Sequence, residues 1–315
     1  SLTSLDLSNF RTNNVESFIQ LFSGCSFLKF LDLSNFNTSK VVSMSYMFQN
    51  CSSLTSINLK NFDTNLVKDM SYMFSNCYNL KSLDLSSFNT KNVYYMNSMF
   101  SGCDTLETLD VSNFSIEKVK DMKFMFYYCS SLTTLDLSNF DTSSVEDMQF
   151  MFSTCHKLTS LNIRNFDTHN VKNMSGMFQN CNNLRYLDLE SKMKTNNVRD
   201  MSSLFENCQS LTSLDLSHFE TYSVTDMSNM FNNCYSLLSL KINFNTENIT
   251  KMSYMFASCV KLTSLDISSF NTKNVHNFTN IFERDSGLDL YLDSNKCQNL
   301  IDYLPNYINF HDISK

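Results

Sequence analysis

Residues 132–155 read LTTLDLSNFDTSSVEDMQFMFSTC, and their apolar positions follow two periods in turn. Around Leu132, Leu135 and Leu137 the pattern alternates with period two at its LxL centre, which predicts a short strand. From Val145 through Met148, Met151, Phe152 and Cys155 the spacing becomes three and four, which predicts a helix of about two turns. Phe140 stands between the halves. The same pattern returns along almost the whole chain. One Phe holds its place in every coil: Phe22, Phe48, Phe74, Phe100, Phe126, Phe152, Phe178, Phe205, Phe231, Phe256 and Phe282. That marks eleven coils and the start of a twelfth, the signature of a solenoid.

The cysteines carry the same period. Cys25, Cys51, Cys77, Cys103, Cys129, Cys155 and Cys181 are 26 residues apart, and Cys208, Cys234 and Cys259 follow at 27, 26 and 25. Asp285 holds the next position, and Cys297 lies outside the series. Just before the first Met of the helical half stand Ser17, Ser43, Asp69, Asp121, Asp147, Asn173, Asp200, Asp226 and Asn277, all able to cap a helix N-terminus. Tyr95 and Lys251 interrupt that column. Just before the Cys come Gly24, Asn50, Asn76, Gly102, Asn180, Asn207 and Asn233, which tolerate the left-handed turn that ends a helix. Tyr128, Thr154 and Ser258 suit that place less well.

Two coils are irregular at the strand exit. Residues 190–195 (ESKMKT) hold one extra residue, with Met193 in place of the Phe, and residues 241–246 (KINFNT) lack one, which draws Phe244 closer. Ser1 falls in mid-coil with no polar cap before it, so further coils or a cap are expected upstream. From Glu283 the pattern gives way to LDLYLD and CQNLIDYLPNYINF, read as a closing strand and a capping helix.

Composition narrows the function. With 4 Gly and 1 Pro in 315 residues, against 28 Phe and 18 Met, this is not a loop-dominated chain. Disorder is excluded by 42% hydrophobic and only 17% charged residues. A formal charge of −7 leaves no electrostatic footprint for nucleic acid or an anionic membrane. No apolar run reaches the roughly 18–20 residues of a membrane span, and there is no signal peptide.

The LxxLDLSxF half is close to the leucine-rich-repeat consensus LxxLxLxxN. With its DMSxMFxxC half, the unit resembles the BspA-like leucine-rich repeats, a repeat of unknown function common in mycoplasma proteins. The resemblance covers residues 1–282. It implies an α/β solenoid of the leucine-rich-repeat type, with one short parallel strand and one short helix per coil, and leaves 283–315 as a C-terminal cap. It also implies a surface-exposed or secreted protein of a bacterium or protist, associated with adhesion. It implies no catalysis and no particular ligand.

The strand's outward position carries Asp6, Asp32, Asp84, Asp110, Asp136, Asp188, Asp215 and Asp266, interrupted by Asn58, Asn162 and Lys241. Aligned strands would stack these carboxylates about 4.8 Å apart, where like charges disfavour one another. A solvated ladder held by neighbouring Ser, a face for a basic protein, and a Ca²⁺ site are three ways to meet that repulsion. Lys60, Arg164, Glu190 and Lys241 replace Ser or Asp on this face and make its coils distinguishable.

The cysteine column allows buried free thiols, some disulfides or a metal. Uniform parallel stacking holds the Cβ atoms near 4.8 Å, beyond the roughly 3.8 Å a disulfide favours, and a linear column lacks tetrahedral geometry. Buried free thiols are the leading expectation. The Met stripe, Met44, Met47, Met70, Met73 and onward, shares its face with Val and Phe and is assigned to the core. The five histidines, His156, His169, His218, His276 and His311, show no spacing with each other or with a carboxylate. No nucleophile elbow, phosphate loop or metal motif occurs, so neither a cofactor nor an enzyme is expected. Six sequons, at Asn37, Asn50, Asn113, Asn173, Asn248 and Asn277, would matter only in a eukaryotic secretory pathway. The expectation is an adhesion or protein-interaction scaffold that meets a protein or glycan partner on a host or neighbouring cell. The alternative is a structural subunit that self-assembles into a filament or coat.

Overall fold

Each coil closes through successive tight turns rather than through a helix. In a computed structural model, which describes residues 2–189 and 193–314, the chain divides into two units, Ser1–Phe166 and Asp167–Lys315. Each unit is a stack of coils of β-solenoid type. Ser1 and Glu190 lie outside the described residues, as does the first half, 190–192, of the irregular segment 190–195.

The expected helix per coil is corrected by the backbone of coils such as 44–51. There Met47 N–H donates to Met44 C=O at 3.2 Å, Gln49 to Tyr46 at 3.1 Å and Cys51 to Phe48 at 3.1 Å, each a three-residue step. The intervening amides leave the coil: Met44 donates to Asp69 C=O at 3.0 Å, Tyr46 to Ser71 at 2.9 Å, Phe48 to Met73 at 2.9 Å and Asn50 to Ser75 at 2.8 Å. A helix would have consumed all these amides internally. Left-handed residues sit at the third place of two of the turns, Tyr46 and Asn50 at φ 59°, as a type II turn requires. The column before the Cys is left-handed throughout the coils named above, including Tyr128, Thr154 and Ser258. The three-and-four spacing was therefore a turn period. Among the described residues the one α-helix is α1 (Gln298–Ile301).

The supposed N-cap column is corrected with it. Ser17, Ser43, Asp69, Tyr95, Asp121 and Asp147 form a run of parallel bridges in the first unit, and Asn173, Asp200, Asp226, Lys251 and Asn277 do so in the second. The Asp and Asn members still cap, but they cap a turn: Asp69 Oδ1 accepts from Ser71 N–H at 2.9 Å and Asp200 Oδ1 from Ser202 N–H at 2.9 Å.

The core lies inside the coils. The repeated Phe, both Met and the Cys are almost fully buried except in the first coil, where Cys25 is partly exposed. The Phe rings stack in register. From Phe22 to Phe152 neighbouring centroids are 5.4–5.9 Å apart, and from Phe178 to Phe282 they are 5.4–5.7 Å apart. Met193 and Phe244, the two irregular substitutes, are buried as well.

A polar column also runs inside. Thr12, Thr38, Thr64, Thr90, Thr142, Thr168, Thr195, Thr221, Thr246 and Thr272 are all buried. Thr64 Oγ1 donates to Asn89 C=O at 2.9 Å and accepts from Asn89 N–H at 2.7 Å, so one hydroxyl closes both backbone groups of the next coil. Ile116 interrupts the column.

Short parallel strands occupy one side of the coils. The first unit holds β1 (Phe30–Asp32) beside β2 (Ser56–Asn58) and β3 (Thr134–Asp136) beside β4 (Ser160–Asn162). The second holds β5 (Ser213–Leu216) beside β6 (Ser239–Ile242), then β7 (Ser264–Asp266), β8 (Asp289–Leu292) and β9 (Asn309–Asp312) in one sheet. The uninterrupted stacking expected of the strands is thus corrected to separate small sheets.

Asp285 departs from the thiol column. It is 2% exposed, and neither carboxylate oxygen has a hydrogen-bond partner among the described residues. Burial pushes its pKa up to about 8, opposed only in part by the Cys259 backbone amide. An unfolded Asp titrates near 3.9. Between those values the folded chain keeps a proton that the unfolded chain has released, so stability falls as pH rises from about 4 to about 8 and then levels. Asp285→Cys should remove this slope. Urea midpoints of variant and wild type should agree near pH 4 and diverge toward pH 8, by roughly 1.4 kcal/mol per pH unit at most. Thr64→Val, which strands both Asn89 backbone groups, should cost about 1–3 kcal/mol in the same assay.

Candidate functional site

The outward Asp residues sit on the strand side, exposed except for the half-buried Asp188. All but Asp188 are followed two residues on by a Ser that shapes their environment. Asp84 Oδ1 accepts from Ser86 Oγ at 2.6 Å and from Ser86 N–H at 3.1 Å. Asp215 does the same with Ser217 at 2.6 and 3.1 Å. Asp6, Asp32, Asp110, Asp136 and Asp266 accept from the backbone of Ser8, Ser34, Ser112, Ser138 and Ser268.

These bonds favour the carboxylate over the acid. The Ser86 hydroxyl and then its amide hold Asp84 below the usual carboxylate range, and Ser217 does so for Asp215 in the same order. For Asp6, Asp32, Asp110 and Asp136 the Ser amide acts first and the hydroxyl second. Each such side chain is anionic at neutral pH.

Where the strands do join, the ladder never sets one Asp against another among the described residues. Asp32 pairs with Asn58, Asp136 with Asn162, Asp215 with Lys241 and Asp266 with Tyr291. Among the described residues no strand ladder joins Asp84 to Asp110, Asp110 to Asp136, or Asp188 to Asp215. Like charges directly opposite destabilise a ladder, and an amide or ammonium relieves them. Asn58 Nδ2 donates to Asp32 Oδ1 at 3.4 Å, and Lys241 Nζ lies 3.4 Å from Asp215 Oδ2. The steps from Asn58 to Asp84 and from Lys241 to Asp266 are open too, and there charge gives no reason.

Open steps leave clefts. In the first unit a cleft of about 380 Å³ lies between the Asp110 segment and the Asp136 strand, lined by Thr108, Ser112, Thr134 and Ser138 as well as both carboxylates. In the second a cleft of about 490 Å³ is lined by Tyr186, Asp188, Ser213, Asp215, His218 and Lys241, among others. Sequence reasoning named Asp188, Asp215 and Lys241 but missed Tyr186 and His218. Both were visible as breaks: Tyr186 interrupts a column that is otherwise hydroxyl except at Phe30, and His218 replaces a column of Asn and Ser. In other coils those Asn residues bridge to the preceding coil, as Asn113 Nδ2 does to Phe88 C=O at 2.7 Å.

The cysteines are all free thiols. Cys51, Cys77, Cys103, Cys129, Cys155, Cys208, Cys234 and Cys259 donate S–H to the repeated Phe carbonyl of the coil before, at 3.1–3.4 Å. Burial pushes Cys51, Cys103, Cys155 and Cys234 up to about 12 and raises Cys77, Cys129, Cys208 and Cys259 well above their usual value. Among the described residues no three His, Cys, Asp or Glu side chains converge as a metal set, and no helix is long and apolar enough to cross a membrane.

Stacked coils with one regular exposed side define a repeat-solenoid protein. The chain belongs to the family described as "Mycoplasma protein of unknown function, DUF285", whose model matches residues 1–108, 54–161, 96–214 and 199–309. No curated protein matches it. Among solved structures it is similar to a leucine-rich repeat protein from Eubacterium ventriosum ATCC 27560, at 15% identity and a TM-score of 0.39 over 91% of this chain and 88% of that one. It is also similar to TLR13 in complex with ssRNA13, at 13% identity and a TM-score of 0.33 over 96% of this chain. The chain spans about half, 52%, of that TLR13 chain. The functional domain of InlJ from Listeria monocytogenes, described as including a cysteine ladder, matches at 13% identity and a TM-score of 0.18 over 84% of this chain and 67% of that one.

The Asp–Ser contacts make a checkable claim. In carboxyl-carbon NMR, Asp84 should titrate below its ordinary value, and Ser86→Ala should move it upward. An unmoved titration would mean that the hydroxyl does not set it.

Proposed function

We propose that this chain is a non-enzymatic interaction scaffold on a surface-exposed or secreted protein, and that its strand side captures a basic protein partner during adhesion. Within its family we place it with the BspA-like leucine-rich repeats. The observation that supports this most is the row Asp84, Asp110 and Asp136. These three consecutive carboxylates are exposed and held below the usual range by their Ser neighbours, and the last two flank an open cleft. The core absorbs none of them, and each bonds the Ser two residues on, so the row can vary at little cost to the packing of the coils. A partner bearing Lys or Arg relieves the mutual repulsion that the chain itself leaves in place.

Beads coated with residues 1–315 should adhere to cultured epithelial cells, and rising salt should weaken the adhesion. Asp84→Lys, Asp110→Lys and Asp136→Lys combined should reduce it at least tenfold with an unchanged circular dichroism spectrum. Equal adhesion by the triple variant would sink the proposal.

A further inference from the structure

The larger cleft, in the second unit, differs in chemistry from the acidic row. From it we infer that the strand side carries a saccharide-binding site built on Tyr186, Asp188, Asp215, His218 and Lys241, taking a neutral pyranose ring. This deepens the proposed adhesive role and rests on the strand side being the binding surface.

Three observations combine. First, the cleft is about 490 Å³, within the range of small-ligand sites, roughly 300–1,000 Å³. Second, its polar groups are mixed. Asp188 and Asp215 accept hydrogen bonds, Lys241 donates, and Ser213 does either. The His218 imidazole is kept uncharged by burial and so offers one donor and one acceptor nitrogen. Its Nε2 is shut off from solvent with no hydrogen-bond partner among the described residues, so a small turn of the ring toward a ligand hydroxyl would satisfy it. Third, the Tyr186 side chain is largely uncovered, at 66% exposure, at a position whose equivalents in other coils are mostly Ser or Thr. A bare aromatic beside hydroxyl-binding groups offers a platform for the apolar C–H face of a sugar.

The mixture selects the ligand class. A guanidinium or ammonium only donates, so it would leave Lys241 unanswered and place a cation beside it. A phosphate or carboxylate only accepts, and it would meet Asp188 and Asp215. Sugar hydroxyls donate and accept at once, which answers every group in the cleft without adding charge. Lys241, 3.4 Å from Asp215 Oδ2, already neutralises one carboxylate, which distinguishes this cleft from the uncompensated one at Asp110 and Asp136.

The test is saturation-transfer NMR on intact 1–315 with D-glucose, D-galactose, D-mannose and N-acetyl-D-glucosamine, and separately with an arginine-rich octapeptide. At least one hexose should receive saturation. Tyr186→Ala should weaken its binding at least tenfold, Tyr186→Phe should retain it, and the Asp84, Asp110 and Asp136 charge reversal should leave it unchanged. Transfer to no hexose, equal transfer in Tyr186→Ala, or peptide binding that depends on Tyr186 would each overturn the assignment. The outcomes separate from the broader proposal: cell adhesion that survives Tyr186→Ala and is lost on the charge reversal would remove the sugar site alone. Loss of neither signal in the charge-reversed chain would remove the basic-partner reading while leaving the sugar site standing.

Discussion

Coils such as 44–51 give away half of their backbone donors in the turn-rich segment, and the stack depends on where they go. Within residues 44–51 the amides alternate, one closing a turn inside the coil and the next reaching a carbonyl of the following coil. An isolated coil would leave those outgoing amides without partners, and buried backbone groups without partners are costly. Stacking satisfies them at the same stroke that buries the Phe, Met and Cys columns. Thr64 and its equivalents apply the same logic with a side chain, placing a hydroxyl where two backbone groups of the next coil need one acceptor and one donor. The repeat is therefore the smallest unit of sequence but not of stability.

Against that uniform backbone, the strand side is tuned by charge. The coil geometry brings every outward residue over its counterpart one period away, so any ionised side chain meets its own kind unless a coil intervenes with another residue. Asn58, Asn162, Lys241 and Tyr291 do intervene, and each faces an Asp across a formed ladder. At two steps where Asp adjoins Asp, Asp110 to Asp136 and Asp188 to Asp215, no ladder forms among the described residues and a cleft lies between the coils. The choice of Asp or not-Asp at one position thus sets the electrostatics of the accessible surface and contributes to its relief. This lets a chain of near-identical coils carry surfaces that are not identical.

How much of this could be read in advance follows the same division. The period, the buried Phe, Met and Cys columns and the left-handed Asn and Gly residues before the Cys were legible, since each depends only on apolar spacing and on the Asn and Gly preference for positive φ, whereas Tyr128, Thr154 and Ser258 are left-handed against theirs. The helix was misjudged because Met44, Met47, Phe48 and Cys51 have spacings common to a helix and to a run of three-residue turns. Tyr46, bulky and left-handed, gives no compositional warning. The buried Thr column was overlooked for a different reason. A hydroxyl beside a strand exit suggests solvent, and only the stacked neighbour reveals that Thr64 has both a donor and an acceptor to serve. The clefts lay furthest from view, because they arise between coils and not within any one of them.

The thiol column shows what the uniform stack requires of its chemistry. Each buried S–H donates to a Phe carbonyl of the preceding coil, so the proton itself is a structural element. Burial holds that proton in place, with Cys103 and Cys155 pushed up to about 12, and the thiolate that oxidation and disulfide exchange both need is correspondingly scarce. A disulfide between neighbouring coils would remove two such donors and pull two coils out of the spacing that the stacked Phe rings share. Free thiols are thus compatible with the oxidising surroundings of the proposed cell-surface role, because their inertness comes from packing rather than from a reducing compartment. Asp285 meets the same demand for a neutral group without the hydrogen bond: neither of its oxygens has a partner among the described residues, and burial keeps it protonated up to about pH 8. At this last position of the column the buried proton consequently responds to pH.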